Sequence, residues 1–349
     1  MSAKTNPGNY FEDFRLHQKI VHPTPRTLTH GDIALYNAIY GPRFVLQSSD
    51  TFAHGLGLKQ SPIDDLLVFH TVFGKSVPDI SLNAVANLGY AEGRFLKHVY
   101  PGATLRAQSE VIGLKENSNR QTGVVYVRTV GLDEHDDPVV NYVRWVMVRK
   151  RDPEAAVGEA VVPQLEEALP SNALRLPGNM RFDTLFETDQ SGSPHRLGDY
   201  EIGEKIDHVD GVTVEESDHM LATRLYQNTA RVHFNQFSES TGRFGRRLIY
   251  GGHVISLARA LSFNGLANAV MLVGINGGRH VNPLFAGDTV FAWSEVLDRV
   301  ELHKDCGVLR LRLVATKNLP CADFPDKDEN GKYPDNVILD FDYWAVLPR

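Results

Sequence analysis

The stretch RLYQNTARVHFNQF, residues 224–237, holds the side chains best suited to proton chemistry. His233 follows Asn228 by five positions, and Arg231 lies between them. On a helix with 3.6 residues per turn, positions five apart differ by about 140° around the axis, so the two side chains would not share a face. For both to reach one ligand, the helix through Tyr226 must end near Asn228 and the chain must turn. An imidazole in such a turn is suited to general acid–base catalysis.

A pair of glycines lies directly before an apolar helix a little further along the chain. Gly251 and Gly252 follow Tyr250 in LIYGGHVISLARAL. Glycine permits a close approach of the backbone, and the free N–H groups at a helix start stabilise negative charge. The histidine, the amide and this turn together suit an acid–base site in which an anion develops.

An internal duplication determines which elements position these residues. Residues 11–41 and 197–227 align without gaps at a separation of 186, which pairs His22 with His208 and Tyr40 with Tyr226. The similarity continues in GRFLKHVYPGATL and GRHVNPLFAGDTV, and each half ends in a strand that contains tryptophan. A duplicated fold of this kind implies two similar units in one chain.

The first half lacks the chemistry of the second. At the positions that match Asn228 and His233, it carries Pro42 and Gln47. Neither proline nor glutamine can transfer a proton. We therefore expect one working site, in the second half, and a purely structural first half.

Each half shows the same order of predicted elements, in which helices precede a run of strands. Val254, Leu257 and Leu261 share one face of the apolar helix, and the later strands alternate polar and apolar residues. This order indicates an α+β unit in which an antiparallel sheet packs on one central helix. Thr29 and Asp32 have the spacing of a helix N-terminus with an acid at its third position.

The predicted domain boundaries follow from the repeats. The first unit spans residues 1–150 and the second spans residues 197–349. Between them, residues 151–196 contain five prolines, which interrupt helices and central strands. We expect this segment to be a linker that runs over the surface.

Composition excludes several classes of protein. The chain has 349 residues, 42% of them hydrophobic, and a net charge of −7, so it offers no basic surface for nucleic acid. Its two cysteines are too few for a disulfide framework and lack the spacing of a zinc site. No segment has the length of a membrane span or the pattern of a signal peptide. These features predict a cytoplasmic protein without a nucleic-acid or membrane partner.

The second half resembles the hotdog fold of the MaoC-type (R)-specific enoyl-CoA hydratases. The resemblance rests on QNTARVHFN, on LIYGGHVISLARAL and on NPLFAGDTV, and with the duplication it covers nearly the whole chain. It implies a tandem hotdog protein that adds water reversibly to an enoyl-CoA thioester without a cofactor or metal. Mesaconyl-CoA and β-methylmalyl-CoA are the expected substrate and product, and a homo-oligomer of the double-hotdog chain is the expected assembly.

The resemblance also assigns roles to residues. The catalytic histidine of the family corresponds to His233, and its catalytic aspartate corresponds to Asn228. The backbone donor for the thioester oxygen falls in the turn from Tyr250 through Gly251 to Gly252. Arg231 is the hypothesised partner of the second substrate carboxylate, since a guanidinium matches a carboxylate bidentately.

Several alternatives stay open at this point. Arg243 and Arg247 either contact the phosphates of coenzyme A or belong to an exposed basic loop, and His253 either lines the cleft or caps the apolar helix. Because an amide is not a base, a second proton carrier is also sought among Asp218, Glu216 and Glu239. A hotdog thioesterase and a non-catalytic acyl-CoA-binding protein are the alternative functions.

Overall fold

The structure, a computed structural model, describes residues 4–178, 180–182 and 186–349. The first half consists of β1 (Lys19–Thr27), α1 (His30–Tyr40), α2 (Val45–Ser48), α3 (Asp50–Gly55), α4 (Asp65–Ser76), β2 (Ala84–Phe95), β3 (Thr104–Glu116), β4 (Thr122–Leu132) and β5 (Pro138–Arg149). After α5 (Thr188–Ser191), the second half consists of β6 (Lys205–Asp207), β7 (Val212–Thr213), α6 (Glu216–Leu225), α7 (Arg231–Phe234), α8 (Gln236–Glu239), α9 (Gly251–Leu261), α10 (Phe263–Leu266), β8 (Met271–His280), β9 (Thr289–Glu301), β10 (Cys306–Lys317) and β11 (Val337–Pro348).

The strands of both halves form one antiparallel sheet. Within the described residues its order is β1-β3-β4-β5-β2-β8-β11-β10-β9-β6, with β7 paired to β9. The two halves join where β2 pairs with β8, and Tyr90 lies opposite Gly278 in this register. Residues at the ends of β2 and β8 are thereby brought close to both central helices.

The central helices α4 and α9 belong to a single hydrophobic core that includes residues of both halves. In α9, Val254 and Leu257 are buried as the periodicity predicts. Thr29 and Asp32 form a reciprocal capping box at the start of α1, which confirms their structural interpretation. The predicted α+β architecture, a sheet packed on one central helix in each half, is confirmed.

The duplication is visible in the contacts as well as in the sequence. His22 Nε2 lies 2.7 Å from Ser109 Oγ, and His208 Nε2 lies 2.8 Å from Ser294 Oγ. The matched tyrosines meet between the halves, where the Tyr226 hydroxyl donates to the Tyr40 hydroxyl at 2.9 Å. Residues related by the repeat therefore either make equivalent hydrogen bonds in the two halves or bond to each other.

The expectation that the segment 151–196 only runs over the surface is wrong, because part of the segment is buried. Leu169, Phe182 and Phe186 are each at most 2% exposed, and they pack in a cluster with α3 and the start of β8. Val161 also forms a bridge with Leu114 of β3. Prolines prevent regular structure here, but the apolar side chains between them are still buried, because burial stabilises the fold. The domain boundaries drawn around this segment remain a prediction.

Among the described residues, none of the helices is both long and apolar enough to cross a membrane.

Candidate active site

The chain turns at Asn228 as the spacing predicted. Helix α6 ends at Leu225, and Gln227 adopts the left-handed conformation with φ 56°. Two hydrogen bonds then fix Asn228, which is 1% exposed: its N–H donates to Thr223 O at 2.9 Å, and its Oδ1 accepts from Ala230 N at 3.2 Å. Its side-chain NH₂ group has no acceptor among the described residues. This group is therefore left to donate to a ligand or a water.

The first half of the chain supports this turn directly. Gly74 of α4 packs so closely on it that an added Cβ would lie 1.7 Å from the carbonyl oxygen of Tyr226. The guanidinium of Arg26 in β1 donates to the carbonyl of Leu225 at the end of α6. The site therefore lies where the two halves meet.

His233 lies in the short helix α7 and has a defined tautomer. Its Nδ1 is 2.8 Å from the carbonyl oxygen of Leu248, which can only accept, so Nδ1 carries the hydrogen and Nε2 keeps its lone pair. Burial lowers the pKa of His233 to about 4, against the opposing effect of the bond to Leu248. The ring is thus neutral near pH 7, with Nε2 ready to accept a proton.

The start of α9 lies beside this histidine. The ring of Tyr250, the residue before the helix, lies 5.4 Å from the ring of His233. The N–H of Tyr250 donates to His219 Nε2 at 2.9 Å. No side chain caps the helix, so the amides of Gly251 and Gly252 in its first turn are available to a ligand.

The two glycines are required by histidines that pack against them. A Cβ at Gly251 would lie 2.2 Å from His280 Nε2, and a Cβ at Gly252 would lie 2.4 Å from the Tyr250 ring and 2.6 Å from His70 Cε1. Both nitrogens of His280 and the Nε2 of His70 are buried without a hydrogen-bond partner among the described residues. Buried polar atoms without partners are rare in folded proteins and mark places where a ligand or water is bound.

His280 is a site residue that the sequence analysis missed. Burial lowers its pKa to about 4, and repulsion from His233 lowers it further in the same direction. A signal was present in the repeat, since GRH at residues 278–280 aligns with GRF, which places Phe95 opposite His280. In both cases, at His280 and at His233, the second half carries a histidine where the first half carries a residue that cannot transfer a proton, Phe95 and Gln47 respectively.

The structure places the other predicted residues less centrally. His253 is 1% exposed, and its Nδ1 lies 2.9 Å from the Tyr40 hydroxyl. Its position in the helix turns it toward α1 instead of the helix start. Arg231 is exposed, and its Nη1 donates to Asn83 Oδ1 at 2.7 Å. Arg231 therefore lies at the rim, next to a side chain of the first half.

In the basic loop before α9, Arg243 is exposed, whereas the side chain of Arg247 is only 13% exposed. Arg243 lies over the ring of Phe244 at 5.0 Å, and Arg247 forms an ion pair with Glu216. Neither arginine contacts His233.

The acidic candidates for a second proton carrier are not brought to His233. Glu216 pairs with Arg247, and Asp218 accepts a hydrogen bond from its neighbour Ser217. Glu239 is bonded to Ser238 in α8. Among the described residues, the titratable side chains that approach the start of α9 are histidines, namely His70, His219, His233 and His280. No three His, Cys, Asp or Glu side chains in that part of the chain are arranged to hold a metal ion.

The fold and this site define a class, the double-hotdog proteins related to MaoC. A MaoC domain protein dehydratase from Chloroflexus aurantiacus has a TM-score of 0.97 and 60% identity, and the match covers 100% of this chain and 99% of that one. A conserved protein of Mycobacterium tuberculosis, described as a double hotdog fold, has a TM-score of 0.78 and 26% identity over 98% of this chain and 99% of its own. The tandem hotdog prediction is confirmed.

Within this class, the chain belongs to the mesaconyl-CoA hydratase family, whose model matches residues 2–319. The β-methylmalyl-CoA dehydratase of C. aurantiacus is 61% identical over 351 residues, which cover 100% of this chain and 99% of that protein. The mesaconyl-CoA hydratase of Cereibacter sphaeroides is 60% identical over 347 residues, which cover 99% of this chain and 100% of that protein. The resemblance inferred from the sequence motifs is therefore confirmed.

Proposed function

We propose that this protein is a hydro-lyase that reversibly hydrates mesaconyl-CoA to β-methylmalyl-CoA. The observation that carries the proposal is the neutral His233, with Nε2 unprotonated, beside the uncapped start of α9. The names of two relatives with about 60% identity over the whole chain support the same substrate pair.

The proposed reaction needs a single proton carrier. His233 Nε2 accepts a proton from water while the water oxygen bonds to Cβ of the enoyl thioester. The NH₂ group of Asn228 holds that water by donating to its oxygen. The resulting imidazolium returns the proton to Cα, so one molecule of water is added and the ring is restored. Asn228 therefore does not have to act as a base.

Negative charge builds up on the thioester oxygen during this addition. The amides of Gly251 and Gly252 can donate to it, and donors already in place at a developing oxyanion are among the largest contributions to catalysis. The neutral ring of His280 lies against Gly251, and we assign it a hydrogen bond to the same end of the substrate. Tyr250 orients this turn through its bond to His219.

The remaining predicted contacts concern the coenzyme A portion and the rim of the site. Arg243, which is exposed, and Arg247, which is largely buried, lie on the loop before α9 and stay our candidates for its phosphates. Arg231 stays a candidate for substrate contact at the rim. The homo-oligomer and the cytoplasmic location also remain predictions.

One assay separates hydration from the alternatives. Purified protein is incubated with mesaconyl-CoA while the enoyl ultraviolet absorbance and the appearance of free thiol are followed in parallel. Loss of absorbance without thiol is expected. Release of thiol would instead indicate a thioesterase, and tight binding without either change would indicate an acyl-CoA-binding protein.

A further inference from the structure

Arg144 of β5 is a fully buried cation without an anionic partner. Its residue is 0% exposed, and its guanidinium donates only to hydroxyls, to Ser76 Oγ at 2.8 Å and to Ser81 Oγ at 3.4 Å. Its Nε has no partner among the described residues, and no carboxylate of that set lies within ion-pair distance. A buried charge that lacks an opposite charge destabilises a fold, so its presence here calls for a ligand.

The buried arginine of the other half differs in having carboxyls nearby. Arg259 of α9 is 4% exposed, donates to Ser262 Oγ at 3.0 Å, and acts on the buried carboxyls of Asp64 and Asp65, although burial raises the pKa of both and that of Asp65 to about 8. The groups that act on Arg144 are tyrosines, with no carboxyl among them. An anion for Arg144 would therefore come from a ligand.

Arg144 lies on the inner side of the candidate active site. Its guanidinium is 4.2 Å from the ring centre of Phe73, and the Phe73 ring is 5.7 Å from the ring of Tyr250. Tyr250 in turn lies against His233 and precedes the helix start. One aromatic ring thus separates the unpaired cation from the turn that receives the thioester.

A second unpartnered group lies beside Arg144. The Tyr142 hydroxyl is buried near Ser76 and Thr129 but makes no hydrogen bond of normal geometry. Burial raises the pKa of Tyr142 to about 12, so it is a neutral donor. A guanidinium and a phenol with unused donors form a receptor for a carboxylate.

We infer that Arg144, assisted by Tyr142, binds the free carboxylate of the mesaconyl group. The inference rests on the proposed function, because it is this substrate that carries a second carboxylate. In the mesaconyl group only the two alkene carbons separate the thioester carbonyl from that carboxylate. When the amides of Gly251 and Gly252 hold the thioester oxygen, the substrate carboxylate lies inside the core. Arg231 is exposed at the rim and is therefore not the partner we infer for it.

The test compares a dicarboxylic with a monocarboxylic acyl group. In Arg144→Met, kcat/KM for mesaconyl-CoA should fall roughly 10- to 100-fold more than kcat/KM for crotonyl-CoA, because a hydrogen-bonded charge pair is lost. The saturated thioesters methylsuccinyl-CoA and butyryl-CoA measure binding without reaction. In Arg144→Met, inhibition by methylsuccinyl-CoA should weaken more than inhibition by butyryl-CoA. Arg128→Met is the matched control, because Arg128 lies on the neighbouring strand β4 and pairs with Glu92 away from the site, and it should leave both ratios unchanged.

Other outcomes would overturn the inference. If Arg144→Met lowered kcat/KM equally for mesaconyl-CoA and crotonyl-CoA, the inference would be contradicted. It would also be contradicted if Arg231→Met, instead of Arg144→Met, changed the ratio of these two kcat/KM values. If Arg144→Met does not fold, Tyr142→Phe is the deciding variant, because it removes only one oxygen that has no hydrogen-bond partner. It should lower the ratio of kcat/KM for mesaconyl-CoA to kcat/KM for crotonyl-CoA several-fold and leave the melting temperature unchanged. Failure of the proposed function is distinct, because the unaltered protein would then fail to hydrate mesaconyl-CoA at all.

Discussion

At the scale of single residues, the proposed site depends on histidines that stay neutral. Burial lowers the pKa of His233 and of His280 to about 4, and the bond to Leu248 fixes which nitrogen of His233 is free. A neutral His233 can accept a proton from water, and a neutral His280 can donate a hydrogen bond. The aspartate of related hydratases, replaced here by Asn228, is not needed to generate the base.

Replacing His280 with phenylalanine separates its chemical role from its packing role. Phe95 occupies the matching position of the first half, so the chain itself shows that the fold accepts this ring. We expect kcat for mesaconyl-CoA hydration to fall by roughly 10²-fold, comparable to the loss of one oxyanion donor. The melting temperature should hold or rise, because the buried nitrogens of His280 have no partners to lose. Unchanged kcat would show that His280 only packs against Gly251.

At the scale of elements, the site depends on how closely α4 of the first half packs against the end of α6. Gly74 is the contact, because nothing larger fits against the carbonyl of Tyr226. Through this contact the first half positions the half that we propose to carry the active site.

Gly74→Ala should disturb both stability and catalysis. Overpacking costs about 1–3 kcal/mol of unfolding free energy, and a shift of the turn at Asn228 should also lower kcat. Gly55→Ala in α3 is the control, since a Cβ there meets nothing within 4 Å. Chemical denaturation and hydration rates of the two variants give the comparison. A Gly74→Ala protein as stable and active as the Gly55→Ala protein would show that the contact is unimportant.

The sequence predicted those parts of the site that are local. The repeat, the helix stripe and the turn at Asn228 could all be inferred because they depend on spacing along a short segment. The contrast with Phe95 marked His280, but the approach of His280 and of Arg144 to the site could not be inferred, because it depends on the pairing of strands far apart in the chain. The contact of His253 with Tyr40 could not be inferred for a related reason: its helix was predicted correctly, but the direction of its side chain depends on where α1 packs.

At the scale of the whole molecule, buried histidines make stability depend on pH. Burial lowers the pKa of His70 and His253 to about 3 and that of His219 to about 2. In the unfolded chain these groups have pKa values of about 6.5. Below that pH the unfolded state binds more protons than the folded state, so protonation favours unfolding.

The free energy of unfolding should therefore decrease as the pH falls below about 6.5. Between pH 7.5 and pH 5.5 each of these three histidines should contribute a loss of roughly 1 kcal/mol. Denaturant titrations at the two pH values measure the difference. His253→Gln should reduce the pH dependence, whereas stability that is constant or higher at pH 5.5 would show that these histidines are protonated in the folded protein.

The central claim is that one site, in the second half, hydrates mesaconyl-CoA through His233. The most direct measurement is the rate at which His233→Gln consumes mesaconyl-CoA, since the first half carries Gln47 at the matching position. The loss of enoyl absorbance should slow by roughly 10²- to 10⁴-fold, the usual contribution of a general acid–base group, with the circular dichroism spectrum unchanged. A folded His233→Gln protein that hydrates mesaconyl-CoA at the full rate would contradict the account.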